Sequence, residues 1–325
     1  MELILAPLAG ITGCQFRTIF TRYFTGIDSA VSPFITTVVS DHCSASHFQD
    51  ILPANNPAMP VVPQILGRDP VRILNLARQI FDLGYNHVNL NLGCPHRKIT
   101  RKTHGAGLLS HPDTIKSILD TIFTTIPNNH NVSIKSRLGA EKPDEFFSLI
   151  PIFNNYPLKS ITIHPRTASQ LYEGDVDLST LNQCLADIKS PVIYNGDIRT
   201  WQDFFVVKSR FPEIKSWMIG RGIIADPFLA SELKNQGSPL LFSSIEKTRI
   251  VESYINDLFD SYNYGSRRQV IVLGLMKEVW RYLAGSFVDG RHMLRRILET
   301  NSVTDYKRTT YRFFSGGAEW NGPGK

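Results

Sequence analysis

The sequence predicts an α/β protein, a (β/α)8 barrel followed by a small all-helical C-terminal domain, and three observations predict it. Eight short β-type runs recur at fairly regular intervals up to residue 222. Most intervals between them carry apolar residues at helical spacing. From about Ser244 onward the strand signal stops and only helical patterns follow. Eight strands alternating with helices are the sequence form of the TIM-barrel architecture.

The runs are LILAP (3–7), SAVSPFI (29–35), VVPQIL (61–66), HVNLNL (87–92), VSIKSRL (132–138), SITIHP (160–165), PVIYNGD (191–197) and SWMIGRG (216–222). Between the third and fourth, VRILNLARQIFDLG keeps a helical period and closes on Gly84, the residue type that ends helices. The second interval, around DHCSASHFQDILPANNPAMP, has no period and reads as a loop or broken helix. After IIADPFL, the Gly- and Pro-containing KNQGSPLLFSS is the expected linker. IEKTRIVESYINDLFDSYN, VIVLGLMKEVWRYLAG and GRHMLRRILETN then read as helices, and the aperiodic FFSGGAEWNGPGK is expected to fray. These readings place the barrel at 1–235, the helical domain at 244–312 and a flexible tail at 313–325.

The 325 residues, 42% hydrophobic and 20% charged, are of globular composition and suffice for one large domain and a smaller one. No stretch approaches the roughly 18 apolar residues of a membrane span, and MELILAPLAG lacks a basic leader, so a soluble, cytoplasmic protein is expected. Cys14, Cys43, Cys94 and Cys184 are scattered without CxxC or Cys/His pairing, which points away from a metal site and from a disulfide framework. Nothing resembles a dedicated dimer interface, and a monomer is expected. The net charge of +6 is concentrated: between Gly265 and Arg312 ten Lys/Arg face four acids, which leaves the remainder about neutral. Such blocks are usually solvated helix faces, but the interleaved Trp280, Tyr282, Tyr306 and Tyr311 also fit contacts to the phosphates and bases of RNA.

Barrels of this class carry their chemistry at the C-terminal ends of the strands, and there the polar residues fall. They are Ala6-Pro7-Leu8 after the first run, Gln64 on the third, and Asn89, Asn91 and Cys94 on the fourth. Lys135 and Arg137 follow on the fifth, His164 and Arg166 on the sixth, Asn195-Gly196-Asp197 on the seventh and Gly220-Arg221-Gly222 on the eighth. A polar group inside a parallel strand is costly without a partner, so their recurrence at matching depth describes a lined pocket. NGDI and GRG supply small residues and free backbone N–H groups in the last two loops, the usual phosphate seat of this fold. Lys135 and Gln64 add donors suited to an electron-rich flat heterocycle such as a flavin. A single phosphate seat, with no GxGxxG unit, points to FMN rather than a dinucleotide.

On these residues the chain resembles the tRNA-dihydrouridine synthases, FMN-dependent barrel enzymes followed by a helical RNA-binding domain. The likeness is carried by APLAGITGCQFR, VPQILG, NLNLGCPHRKITRKTHGAGLL, SIKSRLG, ITIHPRT, VIYNGDI and WMIGRG, and runs over almost all of the chain except its last dozen residues. NxGCP with a downstream GAGLL is the most specific part. One departure stands out: the family often has Asp after the first Gly-x-Thr, where this chain has Gly13 and then Cys14, which puts in doubt a contact behind the flavin site and leaves that site untouched.

The resemblance implies a role for each matching position. Pro7, Leu8 and Ala9 would border the isoalloxazine; Gln64 and Lys135, with His164 close by, would bond its polar edge. Asn195, Gly196, Asp197, Gly220 and Arg221 would hold the ribityl phosphate. Asn91, Arg97, Lys98, Arg101, Arg166, Arg267 and Arg268 would contact tRNA, with Lys102 beside them, while Gly105 and Gly107 would let the Cys94 loop move. Reducing the C5=C6 bond of uracil needs a hydride at C6, from FMN reduced by NADPH, and a proton at C5 from the opposite side. Cys94, mostly protonated at neutral pH, is the expected acid. Three alternatives remain: the same chemistry on rRNA, an FMN enzyme acting on a free pyrimidine, and an RNA-binding barrel without catalysis. The basic C-terminal segment argues against the second, and the retained Cys94, Lys135 and His164 against the third.

Overall fold

Ten strands form one parallel sheet in the computed structural model, which describes residues 1–37, 45–238, 241–265 and 267–323. They are β1 (Glu2–Leu5), β2 (Ser29–Val31), β3 (Ile35–Thr36), β4 (Val61–Val62), β5 (Gln64–Leu66), β6 (His87–Leu92), β7 (Asn131–Gly139), β8 (Ile161–Thr167), β9 (Val192–Tyr194) and β10 (Ser216–Ile219). The order is β3-β5-β6-β7-β8-β9-β10-β1-β2-β4. Eight expected strands become ten because Pro33 parts β2 from β3 and Pro63 parts β4 from β5, proline having no N–H for the ladder. Since β2 pairs with β4 and β3 with β5, residues 29–36 run beside 61–66 on both sides of the prolines, and a ring of eight strand positions results.

The helices between strands follow local sequence signals. In Pro70–Asp82, the Asp69 carboxylate accepts the N–H of Arg72 at 2.9 Å, proline occupies the first turn, and Gly84 at φ +96° ends the helix. Its buried face, Ile73, Leu74, Leu76, Ala77 and Ile80, packs on the sheet. Alternation along β1 sends Leu3 and Leu5 into that outer core, while Ile4, Ala6, Val31, Ile193 and Met218 form a separate cluster inside the barrel. Of the irregular second interval, residues 38–44 with Cys43 lie outside the described residues, and the rest forms a short helix, Ala45–Phe48, and a turn at Pro53–Asn55.

Among the described residues the C-terminal region holds four α-helices, Ser244–Asn263, Gln269–Leu283, Gly290–Glu299 and Val303–Ser315. The first opens with a capping box between Ser243 and Glu246. The expectation of a flexible tail from residue 313 needs correction. The last helix continues through Ser315, and Trp320 is 5% exposed, edge-on to both Phe287 and Phe228. A lone tryptophan between glycines has no period to announce it, yet its buried ring, with hydrogen bonds from its backbone N–H to the Thr248 hydroxyl (3.0 Å) and from the Ser244 hydroxyl to its carbonyl (2.7 Å), docks the segment. The helices meet the barrel through Tyr254, which receives Phe16, Phe20 and Phe24 on its ring, and through hydrogen bonds from Tyr23 to Asp257 (2.7 Å) and Ser286 to the Ala225 carbonyl (2.7 Å). No helix among the described residues is long and apolar enough to cross a membrane.

Candidate active site

The register of the central strands sets the site. Gln64 lies beside Asn89 and Asn89 beside Ser133; one step up, Asn91 lies beside Lys135 and Lys135 beside Thr162; above them Arg137 lies beside His164. With a side-chain period of two, these polar residues share the inner face and climb toward the C-terminal mouth, where aliphatic layers would otherwise fill the barrel. At that mouth is a cavity of about 760 Å³, within the size range of cofactor sites.

Its wall contains Pro7, Leu8, Ala9, Asn91, Cys94, Lys98, Lys135, His164, Asn195, Gly196, Asp197, Gly220 and Arg221, most of the residues singled out from the sequence. Gln64 is not among them. It is fully buried, donates to Asn89 at 2.8 Å and accepts from Asn91 at 2.7 Å, so it orients Asn91 from behind. Asn91 in turn accepts the backbone N–H groups of Gly93 (3.1 Å) and Cys94 (2.9 Å), which fixes the turn carrying the thiol. Arg137 braces the same turn by donating to the Gly93 carbonyl at 3.0 Å. Burial pushes the Cys94 thiol up from its ordinary value, against the pull of Lys135 and Arg137, so it is protonated at neutral pH. Gly105 and Gly107 are both closely packed against neighbouring backbone. A Cβ on Gly105, which has φ +56°, would come within 2.8 Å of the Cys94 carbonyl oxygen, and one on Gly107 within 2.7 Å of that of Thr100.

Beside the thiol, the site is cationic. Burial and the neighbouring Arg137 lower Lys135 to about 7, and no carboxylate pairs with it among the described residues. His164 is held well below its ordinary value by burial and by Arg137, Lys135, Arg166 and Arg221, so the ring is neutral. Arg166 donates to its Nε2 at 3.1 Å, and because arginine is only a donor, the ring proton resides on Nδ1. Arg166 itself is 2% exposed and does not reach the cavity wall; it is locked by His164, the Gly174 carbonyl and a two-pronged pair with Asp197. Asp197 also accepts from Arg221 at 2.6 Å. Burial opposes ionisation of Asp197, but these guanidinium groups outweigh it and lower its pKa. An acceptor-only carboxylate cannot donate to a phosphate. Its part is to align two arginines, at a non-glycine φ of +33°.

The donor set can be tested against an anionic cofactor. The backbone N–H groups of Gly196, Asp197, Arg221 and Gly222 meet no acceptor among the described residues, and with Lys135 and the Nδ1–H of His164 they leave a group of donors lacking an anion. The residues present fit FMN.

Sequence reasoning assigns no role to Arg137 and misses Phe34, Tyr172, Arg199 and Glu278, all in the wall; Tyr282, read there as a possible RNA stacker, is also in it. Tyr172 arrives on the loop after β8 and has two guanidinium groups near its ring, Arg137 at 5.2 Å and Arg221 at 4.7 Å from the ring centroid. Arg137 shares the inward parity of Lys135, a signal the sequence does hold; a loop residue such as Tyr172 has none. Glu278 and Tyr282 come from helix Gln269–Leu283, so the helical region closes part of the cavity.

Arg97, Lys98, Arg101 and Lys102 are exposed on the short helix and turn beyond Cys94, and Lys98 reaches the wall. Arg267 and Arg268 are exposed at the start of Gln269–Leu283, outside the wall. Arg291, Arg295, Arg296 and Arg312 are exposed on the last two helices. Lys277 is different: its ammonium donates to the carbonyls of Leu298 (2.9 Å) and Thr300 (2.7 Å), closing the end of helix Gly290–Glu299. Trp280 and Tyr306 are corrected from candidate RNA stackers to core, buried and joined by a 2.9 Å hydrogen bond. Among the described residues no cluster of His, Cys, Asp and Glu could hold a metal.

The sequence profile of the dihydrouridine synthases (Dus) matches residues 4–312. Among curated proteins, the tRNA-dihydrouridine(16) synthase of Vibrio parahaemolyticus is 26% identical over 312 residues, 93% of either chain. The tRNA-dihydrouridine synthase B of Pasteurella multocida is 29% identical over 317 residues, 94% of this chain and 90% of that one. Among solved structures, 2-naphthoyl-CoA reductase superposes with a TM-score of 0.55 at 12% identity, over 72% of this chain and 50% of its own. The old yellow enzyme homologue of Zymomonas mobilis gives 0.51 at 14% identity, over 76% and 91%. These structural likenesses extend the barrel assignment, and the profile match over nearly the whole length carries the assignment of kinship: the chain belongs to the dihydrouridine synthase family.

Proposed function

We propose that this protein is a cytoplasmic flavoenzyme that reduces the C5=C6 bond of specific uridines in tRNA to 5,6-dihydrouridine, with FMN in the barrel mouth and NADPH as reductant. The observation that carries the reading is the pairing, in one cavity, of a protonated thiol held by Asn91 with an anion-seeking donor set on strands β7 to β10 and the loops that follow them. Family membership and the tRNA-dihydrouridine synthase names of the relatives support the substrate.

Bound FMN would supply the hydride for uracil C6. The amides of Gly196, Asp197, Arg221 and Gly222 would receive its phosphate, aligned by the Asp197 pairs; Lys135 and the Nδ1–H of His164 would bond the polar edge of the ring, and the Pro7–Ala9 backbone would border it. Cys94 gives its thiol proton to C5. The thiolate left behind is stabilised by the charges of Lys135 and Arg137 until solvent restores the proton. Arg137 and Tyr172, which share the wall with Cys94, offer a donor and a π face to the everted base. The exposed Arg97, Lys98 and Arg101, together with Arg267, Arg268 and the arginines of the last two helices, would grip the phosphates around it.

The test is a map of dihydrouridine in tRNA and rRNA from cells lacking the gene, beside the same cells complemented. Loss confined to tRNA positions and restored by complementation is the expected result. Loss in rRNA would replace the substrate, and no loss, with no second synthase gene present, would overturn the activity.

A further inference from the structure

Helix Cys14–Tyr23 opens directly after the loop that forms one wall of the cavity, and Gly13, its N-cap, has no side chain to satisfy the first N–H groups. A residue far along the chain does so instead. Asp50, 36 positions away, places Oδ1 2.5 Å from the N–H of Cys14, and a Cβ built on Gly13 would stand 3.0 Å from that same oxygen. The carboxylate thus occupies the space an acidic side chain at position 13 would fill. The other oxygen, Oδ2, pairs with Arg17 Nη1 at 3.2 Å. Arg17 is 1% exposed and its fork is fully engaged: Nη1 donates to the Thr12 carbonyl (2.6 Å), Nη2 to the Asp50 carbonyl (2.6 Å) and Asn56 Oδ1 (2.7 Å), and Nε to the same Asn56 oxygen (3.1 Å). Thr12 carries the connection onward. Its hydroxyl accepts the N–H of Leu8 at 2.8 Å and donates to the Ala6 carbonyl at 3.1 Å, the two peptides that bracket Pro7.

We propose that Asp50 is a remote N-cap of helix Cys14–Tyr23 and a positioning residue of the cavity, acting through Arg17 and Thr12 on the backbone of residues 6–9. A buried guanidinium without a carboxylate is costly, and a helix without a cap frays more readily at its first turn, so removal of one side chain loosens both ends of the chain of contacts. The consequence for flavin rests on the function proposed above; the backbone effect does not.

Asp50→Ala, Gly13→Asp and the double variant G13D/D50A test this. At Gly13, φ −68° and ψ 174° are ordinary N-cap geometry open to any residue, and position 13 stands four before Arg17, the spacing at which opposite charges on a helix attract. In D50A, amide hydrogen exchange at Leu8, Thr12 and Cys14 should quicken about five- to tenfold, the size of a lost cap, and FMN should be held more weakly by a similar factor. G13D/D50A should recover both, whereas G13D alone crowds two carboxylates and should not improve on the natural chain. Unchanged exchange in D50A, or a folded double variant that recovers neither property, overturns the proposal. If the natural chain takes up no FMN, the flavin reading fails while the exchange result still decides the role of Asp50.

Discussion

Asn91 accepts the backbone N–H of Cys94 at 2.9 Å while its own amide nitrogen donates to Gln64 at 2.7 Å, so the position of the thiol is set by a fully buried glutamine on another strand. Asn91→Ala should leave flavin bound but lower kcat on the order of a hundredfold, as expected for a reacting group displaced by about 1 Å. Stopped-flow oxidation of the reduced enzyme by tRNA, beside a flavin titration, separates the two effects.

Cys94→Ala should retain flavin and tRNA binding and lose about 10²–10⁴ of turnover, the usual contribution of a positioned acid. Because burial raises the thiol's pKa, the natural enzyme should turn over at a constant rate through neutral pH and decline only on the alkaline side. A decline beginning below neutrality would assign the acid to another group.

Lys135, lowered to about 7, is partly neutral in the flavin-free protein near neutral pH. Its folded-state pKa lies below the unfolded value, so the unfolded chain binds the proton more tightly and the free protein should gain stability as pH rises from about 7 to 10.5. An anionic ligand favours the charged form. FMN should therefore bind with proton uptake, and more tightly as pH falls through about 7. Calorimetry in buffers of different ionisation enthalpy measures the uptake, and K135M should abolish it.

Asp197→Ala leaves Arg166 and Arg221 facing each other without their carboxylate. The loss of stability should be about 3 kcal/mol, typical of a half-broken buried pair, and should appear as a lower Tm in the flavin-free protein, before any effect on cofactor.

Arg295→Glu with Arg296→Glu should weaken tRNA binding and flatten its dependence on salt, each lost phosphate contact lowering the log–log slope by roughly 0.7–0.9. Lys277→Met should instead lower Tm and leave the slope unchanged, since its ammonium is spent on the carbonyls of Leu298 and Thr300.

The strands and their inward polar residues were legible because a period of two is written locally: Lys135 and Arg137, or Asn89 and Asn91, need no tertiary knowledge to be placed on one face. Pro33 and Pro63 were visible too, though only the pairing shows that they interrupt strands without ending them. What the sequence withheld was long-range. Tyr172 reaches the site on a loop, Trp320 is docked by Phe228 and Phe287, and Asp50 serves a helix 36 residues away. Gln64 and Arg166 lie buried behind the wall, a depth that residue type and spacing do not give, since these identify a polar interior but not which of its members line the void.

Glu278 and Tyr282 stand in the wall of a cavity whose other sides belong to the barrel. The molecule is therefore not assembled as catalyst plus handle. Replacing the helical region would replace the part of the wall that Glu278 and Tyr282 form, and cutting the chain before Ser244 would open the mouth to solvent. Substrate choice and pocket shape are inherited together.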